Sequence, residues 1–237
     1  MSPRPSTKAP VFDWDTVDCV FLDMDGTLLD LHFDNHFWLE HVPQRYADKV
    51  GLTLEQAKDD LLPRYRRIQG TLEWYCVDHW SRELGLDIAL LKSEVDHLIA
   101  VHPFVIEFLD ALAARRKRRV LITNAHQKSI ALKLERTRLG GHLERVICAH
   151  DLQLPKESPG FWERVQQTEP FDPARTLFVD DNLDVLRTAR AYGLKWLLAV
   201  TKPDSRKPAR GIDEFPAVAG FDALLPQLSQ PSSGDTL

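Results

Sequence analysis

Residues 20–28 read Val20-Phe21-Leu22-Asp23-Met24-Asp25-Gly26-Thr27-Leu28. An apolar run stops on two carboxylates one residue apart, and a glycine and a hydroxyl follow at once. A strand that only filled a core has no reason to end in two acids. Like charges this close repel, and a divalent cation beside them offsets the repulsion. The stretch therefore names a chemistry: a carboxylate nucleophile, a second carboxylate for proton transfer, and a metal.

Working outward, four more apolar runs read as strands, at residues 120–122, 146–149, 176–179 and 196–200. They join 19–22 as short segments rich in β-formers, as buried parallel strands are. Helical spacing covers residues 104–114, 127–138, 161–168, 183–192 and 221–228, with Gly140-Gly141 and Gly193 as stops. Alternation of this kind builds a parallel sheet with helices on both faces. Active sites of such sheets lie outside the carboxyl ends of the strands. That rule gathers Asp23 and Asp25, Thr123 and Asn124, and Asp180 and Asp181 on one edge.

Between the first two strands the character changes. Residues 33–102 carry aromatics and long helical patterns, expected as helices at 35–49, 54–69, 72–84 and 88–100. Thr53 with Gln56 fits a capping box, and Gly51 and Gly85 fit helix ends. Pro63 is expected to kink or split the second helix. The expected organisation is a discontinuous catalytic core at 11–32 and 103–228 and a helical lid at 33–102. Polar tails at 1–10 and 229–237 complete the chain and are expected to be disordered.

Phosphoryl transfer uses each piece of the edge. Asp23 attacks phosphorus and carries the phosphoryl group. Asp25 protonates the leaving oxygen and then activates water. Thr123 hydrogen-bonds a phosphoryl oxygen, and Lys156 neutralises charge and holds Asp23. Asp180 and Asp181 complete an oxygen site suited to Mg²⁺. Thr27 and Asn124 are further candidate substrate contacts. So are Phe33, Asp34, Asn35 and His36, which follow the first strand closely enough to enter the cleft. Most aromatics of the lid are expected to pack between its helices.

The whole chain narrows the partners. It has 237 residues with 43% hydrophobic and 27% charged content, ordinary for a globular protein with a real core. A net charge of −5 provides no field for nucleic acid or an anionic membrane. The run Arg115-Arg116-Lys117-Arg118-Arg119 sits at a strand's amino end, away from the active edge, and reads as a solvated face. The three cysteines, Cys19, Cys76 and Cys148, are scattered and odd in number, which suits reduced thiols in the cytoplasm. No apolar stretch is long enough to span a bilayer. A small-molecule substrate and a monomer or small homo-oligomer are expected.

Asp23-Met-Asp25-Gly26-Thr27, Thr123-Asn124, Lys156 and Asp180-Asp181 resemble, in order, the four motifs of the haloacid dehalogenase superfamily. The resemblance implies a Rossmann-like α/β core with an inserted helical-bundle cap and a Mg²⁺-dependent aspartyl-phosphate mechanism. It also implies a metal held by Asp23, the backbone carbonyl of Asp25, and Asp180 and Asp181, with Asp181 the direct ligand of the last two. Asp184 does not match the family's further acidic position. Within the family, Phe33-Asp34-Asn35, Phe37-Trp38, Trp74-Tyr75-Cys76, Trp80 and Leu84-Gly85-Leu86-Asp87 are similar to the bacterial GMP/IMP nucleotidase branch. That similarity implies purine 5′-monophosphates as substrates. A phosphatase or mutase acting on a sugar phosphate or phosphoglycolate shares the core motifs. A receiver-like binding module would place its acidic pair before the phosphorylated aspartate, not late in the chain.

Overall fold

The run that ends at Asp23 forms β1 (Cys19–Leu22), and all of its residues are buried. A computed structural model describes residues 10–229. The remaining strands are β2 (Arg118–Thr123), β3 (Arg145–Cys148), β4 (Thr176–Asp180), β5 (Trp196–Val200) and β6 (Ala217–Val218). They form one six-stranded parallel sheet in the order β3-β2-β1-β4-β5-β6. This is the doubly wound order, which puts the first strand at the centre and a crevice at its carboxyl end. The two-residue β6 was not expected, because so short a pairing leaves no period to read.

Helices α1 (His32–His36), α2 (Val42–Val50), α3 (Leu54–Ile68), α4 (Leu72–Tyr75), α5 (Val77–Leu84) and α6 (Ile88–Glu94) fill the interval between β1 and β2. They are followed by α7 (Val105–Ala114), α8 (Gln127–Thr137), α9 (Phe161–Thr168), α10 (Leu183–Tyr192) and α11 (Leu225–Leu228). Strand residues alternate between two buried clusters. Val20 and Leu22 pack with Val105, Phe108 and Leu112 of α7 on one face. Phe21 packs with Phe161 and Trp162 of α9 and Leu186 of α10 on the other. Covering both faces explains why the strands read as continuous apolar runs.

The insert buries a third cluster around Phe33, Phe37, Tyr65 and Trp80. Several expectations about it change. Its first helix starts at His32 and passes through a π-helical segment, Phe37–His41, before α2. Helix α3 runs unbroken through Pro63. Pro63 and Asp59 are both exposed, so water can serve the carbonyl that loses its donor. The expected third helix is divided at Cys76, whose extended backbone and thiol cap α5. The fourth ends at Glu94 and continues only as a 3₁₀ turn, Asp96–Leu98. The Thr53 capping box and the left-handed Gly51 and Gly85 stand as expected. In α8 the stop is Arg138 (φ 57°), one residue ahead of Leu139 and before Gly140-Gly141.

The expected terminal tails lie outside the described residues, apart from Pro10 and Ser229. Both are held: the Pro10 carbonyl accepts from Gln227 and the Ser229 hydroxyl donates to the Leu225 carbonyl. The basic run is neutralised at Arg118 by Glu169 (2.6 Å) and at Arg119 by Glu144. Among the described residues the cysteines are free thiols, and no helix is long and apolar enough to cross a membrane.

Candidate active site

Parallel register brings the three motif-bearing strand ends together. Leu22 pairs with Leu121 of β2 and with Val179 of β4, so the residues just beyond them share one edge. The Asp23 amide donates to the Val179 carbonyl at 3.0 Å, which fixes the start of the loop. Gly26 then turns with φ +92°, and a Cβ there would lie 2.9 Å from the Asp181 carboxyl carbon. Only glycine lets the two acidic loops approach this closely.

Lys156 arrives from the loop after β3 and is buried. Its ammonium donates to Asp23 Oδ1 (2.6 Å), Asp180 Oδ2 (2.7 Å) and the Ile122 carbonyl (3.3 Å). Burial opposes its charge, but the Asp180 and Asp23 carboxylates hold its pKa above the ordinary lysine range. Its backbone is pinned as well: Lys156 N donates to Asn124 Oδ1 at 2.8 Å, and the Thr188 hydroxyl donates to its carbonyl.

Asp23, Asp180 and Asp181 offer oxygens that all lie within 4.8 Å of one another. Asp23 Oδ2 is buried and has no hydrogen-bond partner within the protein. Burial pushes Asp181 up to about 7, with the Asp23 charge adding to it and Arg210 opposing. Burial raises Asp180 too, against the pull of Lys156. Such a cluster is short of positive charge. A hard divalent cation fits this all-carboxylate donor set.

Asp25 points elsewhere. Its Oδ1 accepts from Lys133 at 2.6 Å, and burial pushes its carboxyl up to about 6 despite that ammonium. Thr123 is buried, and its hydroxyl accepts from the Ala125 amide (3.0 Å). Asn124 Nδ2 donates to Glu157 (2.9 Å), which also accepts from Tyr75 of α4 (2.6 Å). That hydrogen bond ties the insert to the loop behind Lys156.

A cavity of about 510 Å³ opens on this edge. Asp23, Asp25, Thr123, Asn124, Lys156, Asp180 and Asp181 line its floor, while Trp38, Tyr65, Gln69, Trp74 and Tyr75 line it from the insert. Three expected contacts are absent from that lining. Thr27 is buried and lines a separate cavity of about 260 Å³ beside His102 and Phe221. Phe33 is 1% exposed and stacks on Phe37 inside the insert's own core. His36 turns to the His32 ring on the outer part of α1. Asp34 and Asn35 do reach the lining, with both Asp34 oxygens and the Asn35 amide nitrogen engaged. Asp34 is bound by two lysines, and Asn35 Nδ2 donates to Asp204 at 2.7 Å. These contacts tie α1 to Lys92 of the insert and to Lys133 and Asp204 of the core.

Sequence reasoning missed Lys133, Lys92 and Arg210. Nothing in the spacing of α8 separates Lys133 from a solvated lysine. Arg210 caps the edge, donating to the Asp181 carbonyl (2.7 Å) from a loop without periodicity. His126 caps α8 through Nδ1 and also faces the cavity. Asp184 pairs with Arg187 and stands apart from the acidic cluster, as its position suggested.

Residues 17–193 match the family described as hydrolase, haloacid dehalogenase-like hydrolase. The chain is 40% identical over 215 residues to a GMP/IMP nucleotidase, YrfG, of Escherichia coli (strain K12), covering 91% of this chain and 97% of that protein. It is 25% identical over 228 residues to a phosphoglycolate phosphatase of Pseudomonas putida, covering 92% and 82%. Among solved structures, a HAD phosphatase from Thermococcus onnurineus superposes with a TM-score of 0.75 at 19% identity, over 90% of this chain and 98% of that one. Four motifs on one sheet edge, a helical insert above them and these similarities agree: the chain belongs to the haloacid dehalogenase-like hydrolases.

Proposed function

We propose that this protein is a Mg²⁺-dependent phosphomonoester hydrolase that acts on purine nucleoside 5′-monophosphates such as GMP and IMP. The observation that carries the reaction type is the unpartnered, buried Asp23 Oδ2 beside Lys156 at the floor of the cavity. One oxygen of the nucleophile is held by an ammonium and the other is free to attack.

In this reading, Asp23 Oδ2 forms a bond to phosphorus while the ester P–O bond breaks. Asp25 gives its proton to the departing alcohol oxygen. Water then attacks the phosphorus of the aspartyl-phosphate, the P–O bond to Asp23 breaks, and Asp25 takes the water's proton. Lys156 neutralises charge on the phosphoryl oxygens throughout. Thr123 and Asn124 border the space in which those oxygens move. A Mg²⁺ held by Asp23, the Asp25 carbonyl, Asp180 and Asp181 would offset the charge of substrate and acids.

Residues 33–102 act as the cap, closing the site to bulk water. The substrate reading is supported by identity to the nucleotidase that extends across the insert as well as the core. It is also supported by the walls of the cavity. Trp38, Tyr65, Trp74 and Tyr75 suit a flat base, and the buried Tyr65 hydroxyl lacks a partner.

The test is phosphate release across GMP, IMP, AMP, CMP, sugar phosphates and phosphoglycolate, with and without Mg²⁺. Turnover that prefers GMP and IMP, stops with EDTA and returns with Mg²⁺ is expected. Equal turnover of phosphoglycolate or sugar phosphates would overturn the substrate but keep the reaction.

A further inference from the structure

The insert and the catalytic loop share a buried chain of charge. Lys133 of α8 is 1% exposed and donates to Asp25 Oδ1 and Asp34 Oδ2, both at 2.6 Å. Asp34, on α1, accepts at its other oxygen from Lys92 of α6 at 3.0 Å. Lys92 is 3% exposed, and its ammonium lies 4.4 Å from the Phe37 ring and 5.6 Å from that of Trp38. Lys133 itself sits 5.2 Å from the Phe33 ring. Asp25, Lys133, Asp34 and Lys92 thus run from the catalytic loop, through a core helix, into two helices of the insert.

Buried charges are kept only where partners repay their desolvation. Folding alone would be served as well by apolar side chains at these positions. The chain instead spends a fully buried lysine on one carboxylate from each region. Its two short hydrogen bonds pin Asp25 Oδ1 and link it to Asp34 of the insert.

We infer that Lys133 is a positioning residue: it orients the Asp25 carboxyl for proton transfer and ties that orientation, through Asp34, to the seating of the insert. This rests on the phosphatase reading above. Its consequence is a dependence on the leaving group. An alcohol leaves poorly without a proton, whereas p-nitrophenolate leaves well without one. Losing the tie therefore slows release of an alcohol far more than release of p-nitrophenol.

The experiment measures first-turnover release, with enzyme in excess, of nucleoside from GMP and of p-nitrophenol from p-nitrophenyl phosphate. The later water attack is common to both substrates and does not enter. Lys133→Met and Asp34→Asn are expected to slow nucleoside release about 10- to 100-fold and p-nitrophenol release several-fold at most. Lys133→Arg, which keeps the charge and both partners, should recover most of the nucleoside rate. Melting temperatures accompany each variant, so that Asp34→Asn and Lys133→Arg decide the matter if Lys133→Met does not fold. Equal slowing of both substrates in folded variants, or no slowing of either, would overturn the inference. A wild-type protein that hydrolyses neither substrate would instead overturn the phosphatase reading.

Discussion

The sheet edge and the insert treat buried acids in opposite ways. At the edge, Asp23, Asp180 and Asp181 crowd within 4.8 Å and share one lysine and one arginine, and an oxygen of Asp23 is left without a partner. Burial holds Asp180 and Asp181 above the ordinary carboxyl range there. In the insert, Asp34 is also largely enclosed, but Lys133 and Lys92 occupy both of its oxygens. Burial alone would raise it, and the two ammoniums bring it down to about 2. An incomplete buried cluster costs stability and persists only where a ligand completes it. A completed one holds elements together. The difference separates the proposed reaction centre from the cluster inferred to position it.

Breaking the edge has the largest effect. Asp23→Asn removes the proposed nucleophile and should lower turnover by at least about 10⁴-fold. The change is nearly isosteric and relieves a repelling charge, so the melting temperature should hold or rise. Activity measured beside calorimetry checks both, and retained turnover would remove Asp23 from its role. Gly26→Ala comes next. It places a methyl 2.9 Å from the Asp181 carboxyl carbon at a backbone angle of +92°. A stability loss of roughly 1–3 kcal/mol by denaturant titration, with most activity lost, is expected. An undisturbed variant would show that the two loops do not need this approach.

A paired experiment sharpens the contrast directly. Asp181 has a folded-state pKa of about 7, above its ordinary 3.8. Its cost is absent below pH 3.8 and grows as pH rises toward 7. Without metal, Asp181→Asn should therefore melt above the wild type at pH 7.5, keep a smaller gain at pH 5 and lose it only below about pH 4. Asp34, at about 2, has the opposite sign. Its stabilisation is present above pH 3.8 and is lost only as pH falls from there toward 2. Asp34→Asn should lower the melting temperature at both pH 5 and pH 7.5. Matching signs for the two variants would erase the distinction between edge and insert. Comparing each variant with wild type at the same pH cancels the histidines, since burial holds His126 and His150 below the ordinary range. The smallest effect concerns the cavity wall. Tyr65→Phe should raise KM for GMP by about 3- to 10-fold and leave kcat little changed. No change would mean that the Tyr65 hydroxyl does not meet substrate.

The two regions also differed in how far sequence reading reached. Asp23, Thr123, Lys156, Asp180 and Asp181 were legible because each ends a strand or lies in a loop at the strand ends. A parallel sheet brings such points together without help from the rest of the chain. The Thr53 capping box and the Gly51, Gly85 and Gly193 stops were legible because local chemistry decides them, whereas Arg138 takes the place expected of Gly140-Gly141. The cavity wall was not. Phe33 and Trp38 are both aromatics on the first stretch of the insert, yet one is in its core and the other faces the cleft. Which way each turns follows from how six short helices pack, and the π-helical segment between α1 and α2 shifts that phase. Lys133 was hidden because a buried lysine and a solvated one look alike until a partner from a distant segment arrives.

In the proposed reaction Asp23 carries the phosphoryl group. The most direct measurement mixes the protein, Mg²⁺ and GMP, quenches in acid within a turnover, and maps the covalent adduct by peptide mass spectrometry. One phosphoryl group is expected on the peptide containing Asp23 and none on that of Asp23→Asn. Turnover of GMP with no adduct there, or with the phosphoryl group on another residue, would contradict it.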